Sequence, residues 1–250
     1  MKVDVLFQGF PGRMTRGYMS WSSVVYVETR GVKILFDTGG MVERSELPKR
    51  FKEHGLNMED IDMVVLSHFH YDHVMNIDYF FGKKPKILLH QAECEWVKSD
   101  PDDWPTPKYL FPILTEKNQF EMIKGEPEIA PGVQAILTPG HTPGCISLVL
   151  RDNDMPVTIL AADAVKNMAE LATGEVGMSH NNDISSTSIK RVRELAEVVI
   201  PGHDRTLKIS DNRITAMTSC HETITIPKGI CQEGIRQLEL VVEQTWLPIK

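Results

Sequence analysis

The chain has 250 residues, 42% of them hydrophobic and 24% charged, with 27 basic against 34 acidic side chains and a net charge of −7. A chain this long buries roughly 70% of its extended surface, which excludes global disorder and a repeat-only fibre, and at roughly 150 residues per domain it forms one large domain or two small ones. The acidic balance argues against nucleic acid as a partner, because affinity for phosphate backbones is built from many basic contacts.

In chain order, KVDVLF (2–7), SSVVYVE (22–28) and VKILF (32–36) read as strands, with the Arg-Gly pair at 30–31 turning the chain. Between them GFPGRMTRGYMSW (9–21) reads as a loop, and MVERSELPKRFKEHG (41–55) as a helix interrupted near Pro48. IDMVVLSH (61–68) is a short apolar run ending in polar residues, the pattern of a buried strand that carries side chains to a site. KPKILLH (84–90) is a strand, QAECEWVKS (91–99) a short helix, and 99–119 irregular or briefly helical. FEMI, VQAILT, CISLVL and VTILAAD are further strands. A helix over 185–197 places Ile189, Val192, Leu195 and Ala196 on one side, and VVIPGHD (198–204) follows it directly. Past residue 208, KIS, RIT and ETITIPKGI suggest strands, and IRQLELVVEQTW reads as a strand or a short helix. The economical architecture is α+β, two packed sheets with helices outside, in one domain over 1–250. The extension 208–250 then covers the core or mediates a homodimer.

The cysteines Cys94, Cys145, Cys220 and Cys231 form no CxxC pair, which argues against a redox dithiol or zinc knuckle and favours reduced thiols, with Cys220–Cys231 left open as a crosslink. MKVDVLFQGF lacks the features of a signal peptide, and no 18 uncharged apolar residues follow one another. A cytoplasmic protein without a membrane partner is therefore expected.

SHFHYDH (67–73) sets His68, His70, Asp72 and His73 directly after the apolar run. In extended chain His68 and His70 point to one side, and the following turn brings Asp72 and His73 to a second position nearby. Imidazole and carboxylate together suit zinc, manganese or iron. His141 in LTPGHTPG, Asp163 at the end of VTILAAD and His203 in VIPGHD complete seven candidate ligands, all at strand ends or in the loops that follow. A merely structural zinc site closes with four ligands, so seven argue against the alternative of a non-catalytic, metal-stabilised binding protein.

From the opening strands through His203 the sequence resembles the metallo-β-lactamase-fold hydrolases: HFHYDH matches their HxHxDH signature, and FDTGG (36–40) resembles an earlier landmark. The resemblance implies a four-layer αββα sandwich with two divalent metal ions at one edge, zinc being the first choice and manganese or iron the alternatives. It assigns His68, His70 and His141 to one ion, Asp72, His73 and His203 to the other, and Asp163 to both. Asp37 becomes a supporting residue rather than a ligand. The implied reaction is attack by a metal-bridging hydroxide on an ester-like bond, with Asp72 a candidate proton acceptor.

Within that family, HYDH, the TPGHTPG loop and the overall length look most like the acyl-homoserine lactonase branch. Two departures stand out: Val-Met-Asn at 74–76 replaces small residues, and Lys166 stands three residues past Asp163, where that branch commonly has a tyrosine. Lys166 is thus a candidate for binding a substrate carbonyl, carboxylate or phosphate. Tyr18 is a candidate hydroxyl, and Arg13 or Arg16 a candidate anion contact. Trp21, Trp96, Trp104, Tyr109 and Phe111 read chiefly as core or loop anchors, with a substrate wall as the alternative. His54, His90, His180 and His221 read as ordinary histidines, with His180 and Asn181 as candidate pocket lining. The substrate is then a small-molecule lactone, ester or anionic compound, first of all an N-acyl-homoserine lactone. A thioester or phosphodiester is the alternative.

Overall fold

Strand Val24–Thr29 is buried at almost every position, and the two-residue alternation of a strand divides its side chains between two faces. Val24 and Tyr26 enter one core with Leu35, Val64 and Leu66. Val25 and Val27 enter another with Ile34, Phe36 and Val65. The computed structural model, which describes residues 1–226, 237–243 and 245–250, is built on that division.

One six-stranded sheet runs in the order Lys2–Phe7, Val24–Thr29, Val32–Phe36, Met63–Val65, Lys86–His90, Phe120–Ile123. The second, of eight strands, runs Trp246–Pro248, Arg213–Ala216, Leu207–Ser210, Val198–Pro201, Met155–Ala162, Ile146–Asp152, Val133–Leu137, Glu128–Ala130. The inner faces meet where Val25, Val27 and Ile34 pack with Val133, Leu148 and Leu160. Helices Leu47–Glu53, Gln91–Lys98 and Leu110–Thr115 cover the outer face of the first sheet through Phe51, Val97 and Leu114. Met168–Thr173 and Asn182–Leu195 cover the second through Leu171, Ile189 and Val192. The result is the four-layer αββα sandwich.

The topology fixes where polar residues emerge. Met155–Ala162 is antiparallel to Ile146–Asp152, which is antiparallel to Val133–Leu137, while Val198–Pro201 runs parallel to Met155–Ala162. Three strands of the second sheet therefore end at one edge. Two backbone bonds tie the first sheet's segments there, Ile146 N–H to Ser67 O (2.9 Å) and Ser23 N–H to Gly202 O (2.7 Å).

Several expectations are corrected. Pro48 sits in the first turn of the helix Leu47–Glu53 rather than interrupting one; there its missing N–H would have had no partner anyway. Residues 41–43 form a separate 3-10 turn. The segment 9–21 is a two-stranded ribbon, Phe10–Met14 with Gly17–Trp21. The helix expected from 185 begins at Asn182, capped by the Asn181 side chain on Ile184 N–H. Its buried side includes Ser185 and Ser188, whereas Leu195 is exposed. Residues 237–242 are a strand, paired with Cys220–Thr225. Cys94 and Cys145 are buried free thiols, while Cys231 and residues 227–230 of ETITIPKGI lie outside the described residues. Among the described residues no helix is long and apolar enough to cross a membrane.

Candidate metal centre

All seven sequence-singled donors meet at this edge. His68 follows strand Met63–Val65, and His70 holds an extended backbone (φ −97°, ψ 155°) before the single helical turn Tyr71–Val74, which lifts Asp72 and His73. His141 follows Val133–Leu137, Asp163 follows Met155–Ala162, and His203 follows Val198–Pro201. Potential ligand atoms within 4.8 Å of one another form three groups: His68 with His70 and His141, His68 with His73 and Asp163, and Asp72 with His73 and His203. Asp163 reaches both sides. Its Oδ2 is 3.2 Å from His141 Nε2, and its Oδ1 is 3.2 Å from His73 Nε2 and 3.3 Å from His203 Nε2. Gly202 makes room for this, since a Cβ there would stand 2.0 Å from Asp163 Oδ1.

Hydrogen bonds on the far ring nitrogens assign the tautomers. Asp37 Oδ2 accepts from His73 Nδ1 (2.7 Å) and from the Ser67 hydroxyl (2.8 Å), whose oxygen lies 2.9 Å from His68 Nδ1. The carbonyl of Trp21 accepts from His203 Nδ1 at 2.9 Å. His68, His73 and His203 are thereby left with Nε2 as the donor to an ion. His70 is reversed: Nε2 bonds Asp103 Oδ2 at 2.9 Å, and Nδ1 lies 3.0 Å from His141 Nε2.

Several atoms of the cluster lack a hydrogen-bond partner. His68 Nε2, His73 Nε2, His141 Nδ1 and Asp163 Oδ1 are buried without a hydrogen bond, which ordinary buried polar atoms avoid. Three of these, His68 Nε2, His73 Nε2 and Asp163 Oδ1, belong to the convergent donor set, which fits hard-to-intermediate divalent cations such as zinc, manganese or iron. Burial, with neighbouring imidazoles, holds His68 well below the usual histidine range and His141 near about 3. For His203, burial is outweighed by the Asp163 and Asp72 carboxylates, which push it up to about 10.

Some supporting residues were invisible in the sequence. Glu93, buried in helix Gln91–Lys98, accepts from Phe69 N–H (2.8 Å), Gly144 N–H (3.0 Å) and the Thr142 hydroxyl (2.7 Å), tying HFHYDH to the His141 loop. Its only sequence signal is a glutamate among the apolar positions of a short helix. Ser67 and Asp103 likewise act through long-range contacts, whereas Asp37 stands where FDTGG pointed.

The other candidates are placed as follows. Lys166 is not a solvated loop lysine: its side chain is 12% exposed and its Nζ lies 3.0 Å from Glu170 Oε1. Tyr18 stacks on Trp104 at 5.9 Å, with its hydroxyl 3.7 Å from Met178 Sδ. The Arg13 guanidinium lies 5.5 Å from the Tyr18 ring, and Arg16 is exposed in the ribbon's turn. Phe111 belongs to the core, and Trp21 stacks on Phe10. Trp96 lies between the rings of His70 (6.2 Å) and His180 (6.1 Å), while Trp104 and Tyr109 are exposed. Asn181 caps a helix. His90 caps another through Ala92 N–H, and His221 contacts Glu239 on the surface.

Residues 19–203 match the family model of the Metallo-beta-lactamase superfamily. An N-acyl homoserine lactonase of a Bacillus species is 27% identical over 168 residues, 66% of this chain and 64% of that protein. The lactonase AiiB of Agrobacterium fabrum is 28% identical over 174 residues, 64% of this chain and 62% of its own length. The chain thus matches less than two thirds of these curated relatives. The solved structure of a quorum-quenching N-acyl homoserine lactone lactonase superposes with a TM-score of 0.60 at 26% identity, covering 73% of this chain and 79% of that one. A Thermotoga maritima protein assigned to the metallo-beta-lactamases shares the fold at a TM-score of 0.65 and 21% identity, covering 83% and 99%.

Proposed function

We propose, from the premise that the chain belongs to the metallo-beta-lactamase superfamily, that this metal-dependent hydrolase opens an ester-like bond, with an N-acyl homoserine lactone as the first candidate substrate. The observation that carries the reading is the pair of donor groups joined by the two oxygens of Asp163. In this reading His68, His70 and His141 hold one divalent ion, Asp72, His73 and His203 a second, and Asp163 both. Bound ions of this kind acidify water and polarise a carbonyl oxygen.

The chain's own residues then orient and exclude. Asp37 and Ser67 fix two of the imidazoles, and Glu93 fixes the His141 loop. Asp72, with one oxygen on His203 at 3.2 Å, is the carboxylate placed to take up the proton released on attack. Lys166 presents a buried ammonium whose charge is felt at His141, and it receives the substrate's carbonyl or carboxylate oxygen. Tyr18, Trp104 and Met178 form an outer wall suited to an acyl chain. Residues 1–250 work as one hydrolase domain, in which Leu207–Ser210, Arg213–Ala216 and Trp246–Pro248 widen the second sheet. The lactone is favoured over a thioester or phosphodiester by the lactonases among the relatives.

Proton release on ring opening of an acyl-homoserine lactone tests this, with metal-stripped protein as control. The expected result is metal-dependent turnover at a kcat/KM of about 10⁴ M⁻¹s⁻¹ or above. Turnover only of thioesters or phosphodiesters would overturn the lactone assignment. For Lys166→Ala the expected outcome is unchanged metal content with kcat/KM lowered about 10²-fold, the lower end for losing a positioned charge at a developing oxyanion. An unaltered rate removes Lys166 from the site.

A further inference from the structure

His68 and His73 take their orientation from the first sheet's own segments, through Ser67 and Asp37, and His203 takes its from the Trp21 carbonyl. His70 is held from elsewhere. Its outward nitrogen is met by Asp103, from the irregular segment between helices Gln91–Lys98 and Leu110–Thr115. That segment is fastened there. Asp103 Oδ2 also accepts the Thr106 hydroxyl at 2.7 Å, Thr106 N–H returns to Asp103 O at 3.2 Å, and Tyr71 N–H donates to Pro105 O at 2.9 Å. The next residue after Asp103 is Trp104, which stacks on Tyr18 of the ribbon.

We infer that Asp103 is a positioning residue: its carboxylate accepts the Nε2–H of His70, fixes the tautomer that turns Nδ1 toward His68 and His141, and so links metal affinity to the loop that carries Trp104. A carboxylate on the far nitrogen of a metal-binding histidine holds both ring rotation and tautomer, and such outer partners are worth about 10- to 100-fold in affinity. A neutral amide at the same position keeps one acceptor oxygen but loses the charge-assisted bond. Truncation leaves His70 free to rotate its Nδ1 out of the set. The inference rests on the proposed role of His70 as a ligand.

The test is zinc titration of the whole chain by competition with a chelating dye, together with the visible spectrum of the cobalt-loaded protein, for the natural chain, Asp103→Ala, Asp103→Asn and Thr106→Val. Asp103→Ala is expected to weaken one ion by about 10- to 100-fold and to alter the cobalt bands, with Asp103→Asn between it and the natural chain. Thr106→Val removes a loop fastening but keeps the carboxylate on His70, and is expected to bind within about twofold of the natural chain, since no ligand partner is lost. Equal loss in Thr106→Val and Asp103→Ala would show that only loop folding matters and overturn the inference, as would unchanged affinity and spectrum in Asp103→Ala. Failure of the natural chain itself to bind zinc or cobalt would instead bring down the metal reading on which it rests.

Discussion

Replacing His68 or His203 with alanine is expected to lower metal content and hydrolysis together, each at its own ion. His68 stands with His70 and His141, and His203 with Asp72 and His73. Either variant leaves the other set whole, so each should retain about one equivalent of metal, the shortened set holding zinc poorly. Both should lose about 10³-fold or more in kcat, since a bound ion would supply the lowering of a water's pKa toward neutrality. Elemental analysis after dialysis, read beside turnover, checks this. Unchanged stoichiometry in both variants removes them from the ligand set.

The same pair gives a pH dependence. In the metal-free chain the Asp163 and Asp72 carboxylates overcome burial and hold His203 up to about 10, so its proton must leave when an ion binds there. A raised pKa stabilises the metal-free fold fully below about 6.5, the unfolded histidine value, and that contribution fades as pH rises through about 10. Burial drives His141 down to about 3, and it binds without that competition. Loading from low to neutral pH should therefore fill the His68, His70 and His141 group first, with the Asp72, His73 and His203 group gaining affinity as pH increases.

How much of this was readable in advance depends on the range over which each signal acts. HFHYDH announces itself because four donors fall within six residues after an apolar strand, and Pro139, Gly140, Pro143 and Gly144 mark the His141 loop locally. The strands were readable for a similar reason: the run of β-branched and aromatic residues in Val24–Thr29 is a property of neighbours. Ser67 lies inside the SHFHYDH motif with no signal of its own, although its hydroxyl joins His68 to Asp37, thirty residues away. Asp103 has no local signal for its role and Glu93 only that of a glutamate in a short helix, since the groups they hold at the centre lie 33 and 24 or more residues off in sequence. The ribbon at 10–21 reads as a loop because a strand pair in which Phe10 alone is buried lacks the apolar alternation that identifies strands. Asn181 could have been recognised as a cap; the serines at 185 and 186 drew the helix start inward instead, and they lie inside its first turns.

Asp37→Ala is expected to damage both halves of the centre at once. One carboxylate takes the Ser67 N–H on Oδ1 at 2.7 Å, and on Oδ2 the Ser67 hydroxyl and His73 Nδ1–H. Through Ser67 it also governs His68. Asp37 and Ser67 are fully buried, as are both histidines, so truncation leaves donors without water or protein partners, at about 1–3 kcal/mol for each unsatisfied group. With about 2–4 °C per kcal/mol for a chain of this size, the melting temperature of the metal-free protein should fall by roughly 6 °C or more. Each donor group also loses the orientation of one histidine, so both ions should weaken by about 10- to 100-fold. Ser67→Ala separates the two effects. It cuts the His68 branch and leaves His73 on Asp37, so it should weaken the His68, His70 and His141 group while the affinity of the Asp72, His73 and His203 group stays near that of the natural chain. Calorimetric titration that resolves two binding events reads both variants. If Asp37→Ala disturbed one event alone, the carboxylate would serve a single histidine and the hub would be no more than a turn between strand Val32–Phe36 and the residues that follow it.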